Sequence, residues 1–270
     1  MMAFYEHLLL SLIHYLIFIR SFISKSFVLF KKNVSFYIDI PLGLGLVKSH
    51  NSRRSVGTWK GMQADATTLT KIPKHVGIVV VENEFSFSDI ANMVVWCVGF
   101  GVKFVSLYDT KGKLKQNDQA VATEIYEKQE KFFNEDKCQF SFEVGKGYID
   151  SKNNGVSDTG KISIKLLSST DGRQDVAKIS QQLCQAIQDK TKCIEDVNLS
   201  QMETLMQARS KWPDPELVIR CGTVHSLLGY LPWQTRLTEI HSLNSHIGVD
   251  YDSLFHVMQL YSRCEQRLGK

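Results

Sequence analysis

The sequence lacks the residue patterns that mark most self-contained metal and nucleophile sites. Its six cysteines form no C-x-x-C pair, and its eight histidines show no H-x-x-x-H or H-E-x-x-H spacing. No serine lies in a G-x-S-x-G turn. Zinc chemistry and hydrolase-type nucleophilic chemistry therefore have no support in the residues, and no metal-binding or cofactor-binding residue is predicted in this chain.

The cysteines also do not resemble a disulfide scaffold, which needs a shorter and more cysteine-rich chain. Most of them sit inside apolar runs, where a thiol behaves as a small hydrophobic side chain. This usage is typical of reduced cysteines in a cytosolic domain.

The excess of positive over negative charge is also small. The formal net charge of +4 comes from 32 Lys and Arg against 28 Asp and Glu, with no long basic tract of the nucleic-acid-binding type. Nucleic acid is therefore not an expected partner. Part of the positive excess, at Arg20, Lys25, Lys31 and Lys32, lies beside the most hydrophobic stretch, which favours a membrane surface.

That stretch predicts a membrane anchor within residues 1–40. Ala3–Ile19 is apolar over about the minimum length for crossing a bilayer. A signal peptide is the competing interpretation, but the charges follow the apolar run instead of preceding it. By the positive-inside rule, the chain after Lys25 faces the cytosol. Residues 41–70, rich in Gly, Ser, Asn and Arg, are predicted to be a linker.

Residues 71–270 alternate between strand and helix patterns, which predicts an α/β domain with a mainly parallel sheet flanked by helices. A loop is predicted at Lys146–Gly160. Strands are predicted at His75–Val81, Lys103–Leu107, Phe140–Val144, Lys161–Leu167, Leu217–Arg220 and Leu237–Ile240. Helices are predicted from the caps Ser86, Ser88 or Asp89 to Gly99, from Asp118, at Asp175–Asp189, at Ser200–Ser210 and after Asp250 or Asp252.

Ligands of such sheets bind at the carboxyl ends of the strands, so chemistry is expected after Val81 and after Arg220. Glu82–Phe85 has neither a Gly-rich turn nor a Lys, which excludes a P-loop there. Glu82 and Glu84 could be metal ligands or an acid–base pair, but no His or Cys is beside them in the sequence. A solvated loop is the favoured interpretation.

Pro73–Phe85, which reads PKHVGIVVVENEF, resembles the first strand and loop of cis-prenyltransferases, whose catalytic members read approximately P-x-H-V-A-I-I-M-D-G-N-x-R. Val81 stands at the position of the catalytic Asp, and Glu82 at that of the Gly. Asn83 is kept, whereas Phe85 replaces the phosphate-binding Arg. The resemblance implies that the carboxylate handling Mg²⁺ and diphosphate has been lost.

A second segment, Pro215–Gln234, is similar to the family pattern P-D-L-L-I-R-T-S-G-E-x-R-L-S-x-F-L-L-W-Q. Arg220 is in register with the first diphosphate-binding Arg. Gly222 stands where the family has its diphosphate-binding Ser, and Ser226 where it has the second Arg. Both anion-binding loops therefore depart from the catalytic pattern.

The ending Cys264–Lys270, with Arg267-Leu268-Gly269, resembles the Nogo-B receptor family, the non-catalytic subunit of the eukaryotic dehydrodolichyl diphosphate synthase complex. The resemblance implies an accessory subunit, inactive alone, whose tail completes the catalytic site of its partner. Arg267 would bind the diphosphate, and Leu268 would be a spacer. Gly269, which has no side chain, would let its backbone N–H approach a phosphate closely.

The same resemblance implies the remaining expectations. The partner would be a catalytic cis-prenyltransferase subunit, bound as a heterodimer or larger assembly through Trp233–Leu243 and the final helix. The substrates would be isopentenyl and allylic diphosphates, with Mg²⁺ held mainly by that partner. The location would be the endoplasmic reticulum membrane, with the folded domain in the cytosol and dolichol synthesis for protein glycosylation as the role.

Two alternatives remain open from the residues. The chain could be a membrane receptor that binds a protein ligand, in which case its domain would lie outside the cytosol and the sequon at Asn198 would be glycosylated. It could also be a prenyltransferase active as a homodimer, although Val81, Phe85 and Ser226 argue against this.

Overall fold

The computed structural model describes residues 58–133, 140–144, 147–150, 162–210 and 212–265. All of them fall within one compact unit. The predicted anchor, most of the predicted linker and the C-terminal residues Arg267, Leu268 and Gly269 lie outside the described residues. Within the described ranges, no helix combines the length and the apolar character needed to cross a bilayer.

A seven-stranded sheet forms the centre of the domain, in the order β4-β3-β5-β2-β1-β6-β7. Strand β4 pairs antiparallel with β3, and all other neighbours are parallel. The predicted α/β class with a mainly parallel sheet is confirmed. The strands are β1 His75–Val80, β2 Phe104–Asp109, β3 Phe140–Val144, β4 Gly147–Asp150, β5 Ile162–Leu167, β6 Leu217–Cys221 and β7 Glu239–Leu243.

The central strands are largely buried, as their continuous apolar sequences predict. All six residues of β1 and all five of β6 are buried. The edge strand β7 instead alternates between half-buried and exposed residues, with Ile240 45% exposed. This difference follows from their positions in the sheet.

Helices connect the strands. They are α1 Trp59–Thr67, α2 Phe87–Gly99, α3 Lys113–Gln116, α4 Asp118–Phe133, α5 Arg173–Gln188, α6 Leu199–Ser210 and α7 Tyr251–Arg263, with a short 3₁₀ turn at Ile194–Asp196. Ser86 caps α2 by accepting a hydrogen bond from the N–H of Asp89, and Asp250 caps α7 through the N–H of Ser253.

The main core lies between the sheet and α1, α2, α4 and α7. Its aromatic part stacks Phe100 against Phe255, with ring centres 5.7 Å apart, and Tyr251 against Phe255. A smaller cluster covers the central strands, where the rings of Tyr108 and Tyr230 meet edge to face. These layers fix the carboxyl ends of β1, β2 and β6 along one rim.

The linker prediction is wrong at Trp59–Thr67, which forms α1. Met62 on this helix is fully buried, and the Asp65 carboxylate accepts a hydrogen bond of 2.9 Å from the hydroxyl of Tyr251. A Cβ at Gly99 would lie 2.3 Å from the Met62 sulfur, so the glycine permits this packing. Tertiary contacts, and not local periodicity, stabilise the helix.

Two further predictions differ from the structure, and one short helix was not predicted. The predicted loop Lys146–Gly160 contains strand β4. The last strand is Glu239–Leu243 instead of Leu237–Ile240, because pairing with β6 sets its register and leaves Leu237 outside it, 65% exposed. Helix α3 has no predicted counterpart, since four residues carry no periodicity.

Candidate functional site

The carboxyl ends of β1 and β2 open into a cavity of about 230 Å³. It lies where the sequence predicted chemistry, directly after Val81. The backbone N–H of Val81 donates to the carbonyl of Cys221 at 3.0 Å, which places the loops after β1 and β6 side by side. The cavity is lined by Val80, Val81, Glu82, Asn83, Phe85, Asp109, Thr110, Lys111 and Leu228.

Glu82 is held by a histidine from a distant part of the chain. Its carboxylate accepts hydrogen bonds from the backbone N–H of His246, at 2.9 Å, and from the ring Nδ1 of the same residue. The other ring nitrogen, Nε2, accepts from the N–H of Ser86 at 3.0 Å. Because Nε2 accepts a hydrogen bond, Nδ1 is the ring nitrogen that donates to Glu82, and the solvated-loop prediction is wrong for Glu82.

The rest of this loop has different surroundings. Glu84 is exposed, as predicted. Asn83 accepts hydrogen bonds from two ammonium groups. Lys111 donates to its side-chain oxygen at 3.0 Å, and Lys113 donates to its backbone carbonyl at 2.9 Å. The Lys113 ammonium also lies 5.1 Å from the ring centre of Phe85. Both ammonium groups thus bind groups of this chain in the loop after β1.

The carboxylates at this rim do not fit a Mg²⁺ ion. Val81 offers only hydrocarbon, and Glu82 is bonded to His246. The Asp109 carboxylate accepts from the N–H groups of Lys113 and Leu114, in the first turn of α3, at 2.9 and 3.0 Å. Across the described ranges, no three His, Cys, Asp or Glu side chains are grouped so as to hold a metal. No metal-dependent step can be assigned to this rim.

Arg220, the arginine kept in the second motif, forms hydrogen bonds with other residues of this chain. Its Nη2 donates to the Nδ1 of His225 at 2.9 Å and to the hydroxyl of Ser242 at 2.6 Å. The residue is only 7% exposed. Ser226 is exposed and accepts a hydrogen bond from the N–H of Leu228 at 3.1 Å. The Arg220 guanidinium is therefore buried and bonded through Nη2, and Ser226 supplies no cation at the position of the second Arg.

Gly222 fits this rim only because it lacks a side chain. It adopts φ +123°, and a Cβ would lie 2.6 Å from Cγ2 of Val81 and 2.9 Å from Cγ of Glu82. Burial, with the nearby Glu82 charge, raises the pKa of the neighbouring Cys221 thiol to about 12, which keeps it un-ionised and unreactive. The three departures at 81, 82 and 222 thus fit one another.

A family model described as putative undecaprenyl diphosphate synthase matches residues 81–269. The chain belongs to this family. The match includes the loops after β1 and β6. In this undecaprenyl diphosphate synthase family member, both loops lack the acidic and basic groups of the catalytic pattern. The family resemblance found in the sequence is confirmed.

Relatives within the family include two named subunits. Dehydrodolichyl diphosphate synthase complex subunit NUS1 of Homo sapiens is 37% identical over 230 residues, which cover 84% of this chain and 75% of that protein. The corresponding subunit of Schizosaccharomyces pombe is 28% identical over 213 residues, covering 77% of this chain and 81% of that protein.

A solved structure supports the fold. Lavandulyl diphosphate synthase from Lavandula x intermedia, crystallised in complex with dimethylallyl diphosphate, matches with a TM-score of 0.52. At 16% sequence identity, the match covers 74% of this chain and 99% of that chain. The similarity shows that this family member shares the fold of that enzyme.

The predicted tail residues Arg267, Leu268 and Gly269 lie outside the described residues, so their roles stay predictions. The structure does describe where the tail begins. Helix α7 ends at Arg263, and Cys264 has an extended backbone with φ −71° and ψ 125°. Two residues that bind this helix end or the rim, Lys71 and His246, could not be identified from the sequence, because neither lies in a recognisable motif.

Proposed function

We propose that this chain is the accessory, catalytically incomplete subunit of a heteromeric cis-prenyltransferase. The complex would make long-chain dehydrodolichyl diphosphate from farnesyl and isopentenyl diphosphates. The named relatives, which are subunits of dehydrodolichyl diphosphate synthase complexes, support this assignment. The product would serve dolichol synthesis and protein glycosylation.

One observation supports the proposal most directly. The rim at the carboxyl ends of β1 and β6 is present, but its Glu82 and Arg220 side chains bind other residues of this chain. The catalytic aspartate position holds Val81, the added carboxylate of Glu82 binds His246, and Arg220 binds His225 and Ser242. A diphosphate carries several negative charges and needs free cationic donors. The chain therefore depends on a partner for the chemistry.

The catalytic partner would hold Mg²⁺ and both diphosphates, and Arg267 and Gly269 would complete its site. A guanidinium can bind two diphosphate oxygens at once, and a glycine N–H can approach phosphate closely. The surface around β7 suits the partner contact, since this edge strand leaves Ile240 45% exposed and the nearby Leu237 65% exposed. The anchor would place the assembly on the endoplasmic reticulum, with the domain in the cytosol.

Co-expression with a catalytic cis-prenyltransferase subunit tests the assignment. Each chain alone and the purified pair would be supplied with farnesyl and isopentenyl diphosphates, and the products measured by chain length. We expect long polyprenyl diphosphates only from the pair. Long-chain product from this chain alone would refute the accessory role.

Deleting Arg267–Lys270 tests the tail separately. We expect the heterodimer to form with unchanged affinity, while elongation falls by at least about tenfold, because a charge-assisted contact to diphosphate is lost. Wild-type turnover by the truncated complex would show that the tail has another role.

A further inference from the structure

The segment before β1 holds the end of helix α7. The hydroxyl of Thr70 donates to the carbonyl of Ser262, and the Lys71 ammonium donates to the carbonyl of Cys264. The same ammonium lies 4.6 Å from the ring centre of Tyr261. Two consecutive residues thus bind the last turn of the helix and the first residue after it.

Two glutamates also contact this helix end. The Cys264 thiol donates to the carboxylate of Glu239, at the start of β7, over 3.3 Å. The carboxylate of Glu216 accepts from the Tyr261 hydroxyl at 3.3 Å and from the backbone N–H of Lys74 at 2.7 Å. Cys264 and the end of α7 are therefore bound by residues from three separate segments of the chain.

Such binding is not needed to end a helix. The last carbonyls of a helix lack internal partners, but water satisfies them at a surface. A lysine beside these carbonyls also interacts favourably with the helix dipole. Here that lysine binds the carbonyl of Cys264, the first residue beyond the helix, and so it fixes the path of the outgoing backbone as well as the helix end.

The position of this contact matters because Arg267 is only three residues further on. An extended chain spans at most about 3.6 Å per residue, so the Cα of Arg267 lies within about 11 Å of that of Cys264. The point at which Cys264 is held therefore limits where the Arg267 guanidinium can be placed. Catalytic geometry tolerates displacements of only about 1 Å.

We propose that Lys71 is a positioning residue for the prenyl transfer reaction, acting by fixing the origin of the C-terminal tail. Its ammonium holds the Cys264 carbonyl so that Arg267 reaches the diphosphate in the partner's site. This inference rests on the proposed function of the tail. Lys71 precedes Cys264 by 193 residues in the sequence, so the inference assigns a role in the reaction to a residue far from the tail along the chain.

The test is a double-mutant cycle in the heteromeric complex. Lys71→Met removes the ammonium but keeps much of the side-chain length, and Lys71→Arg keeps a cation. Lys74→Met is the matched control, since Lys74 is exposed and makes its contact to Glu216 through its backbone. The kcat and the KM for isopentenyl diphosphate, the heterodimer affinity and the melting temperature would be measured for each variant.

We expect Lys71→Met to lower kcat/KM by about fivefold or more with heterodimer affinity unchanged, and Lys71→Arg and Lys74→Met to stay within about twofold of wild type. In an Arg267→Ala background, Lys71→Met should reduce kcat/KM less than about twofold further, because both act through one group.

Additive losses in the Arg267→Ala background, or a Lys71→Met complex that fails to assemble or melts early, would show a structural role and overturn the proposal. So would wild-type kcat/KM in Lys71→Met. If Arg267→Ala itself leaves kcat/KM unchanged, the proposed tail function is wrong and this inference falls with it. A loss with Arg267→Ala but none with Lys71→Met would refute only the role of Lys71.

Discussion

Glu82 and His246, which are 164 residues apart in the sequence, form a closed pair at the carboxyl end of strand β1. The carboxylate accepts from both the backbone N–H and the ring of His246, whose side chain is fully buried. The ring in turn accepts from the N–H of Ser86. A residue at the glycine position of the catalytic motif therefore joins two loops of the domain.

Removing the Glu82 carboxylate should destabilise the domain. Glu82→Ala leaves two donors of His246 without partners, and we expect the free energy of unfolding to fall by about 2–3 kcal/mol. Glu84→Ala is the control, since that neighbour is exposed and should change stability by less than about 0.5 kcal/mol. Urea denaturation measures both, and equal effects would show that the pair contributes little.

A side chain at Gly222 should be tolerated worse than one at Gly101. Both have positive φ, +123° and +100°, but a Cβ at 101 meets nothing within 4 Å, whereas one at 222 approaches Val81 and Glu82. We expect Gly101→Ala to cost about 1–2 kcal/mol and Gly222→Ala about 1–3 kcal/mol more. Thermal unfolding of the two variants separates backbone strain from steric overlap. Similar melting temperatures would contradict the close packing.

Stability should fall in mild acid because of His75. This buried ring contacts the carbonyl of Pro213 at 2.7 Å and the hydroxyl of Ser106 at 2.8 Å. Burial lowers its pKa from the usual 6.5 to about 4. The unfolded chain therefore binds the proton more readily, so the stabilisation is complete above pH 6.5 and is lost as the pH falls.

At pH 4 this loss amounts to about 3 kcal/mol. Chemical denaturation between pH 7 and pH 4 measures it, with His75→Asn as the comparison. The variant should be less stable at pH 7 but show a shallower decline toward pH 4. An identical decline in both proteins would assign the acid sensitivity to other groups.

Restoring the aspartate should not restore catalysis. Val81→Asp returns a carboxylate to the motif position, but Phe85 and Ser226 still supply no cation, and Glu82 adds repulsion. We expect the purified variant alone to elongate farnesyl diphosphate no faster than the parent chain, as measured by incorporation of labelled isopentenyl diphosphate. Measurable long-chain product would revive the interpretation of a self-sufficient homodimer.

Local signals predicted the parts of the fold that depend on neighbouring residues. The continuous β-branched run at β1 and the cap at Ser86 are confirmed. Of the two caps considered for the last helix, Asp250 is the one used. Helix α1 and the register of β7 were missed, because packing against α2 and pairing with β6 decide them.

The two sequence motifs locate the altered rim but not the side chains that fill it. Val81 and Phe85 stand at the positions of catalytic groups, and those positions can be read from the sequence alone. The partner of Glu82 could not be read in this way, since His246 follows the last strand. No pattern within a few residues of either one links them.

The sequence by itself determined most of the order of strands and helices and the loss of the catalytic carboxylate and guanidinium, because periodicity and residue identity are local properties. Only the tertiary structure decided that Glu82 meets His246 and that Lys71 meets Cys264. The parallel sheet order places β1 beside β6 and β6 beside β7. Residues far apart along the chain therefore become neighbours through the sheet.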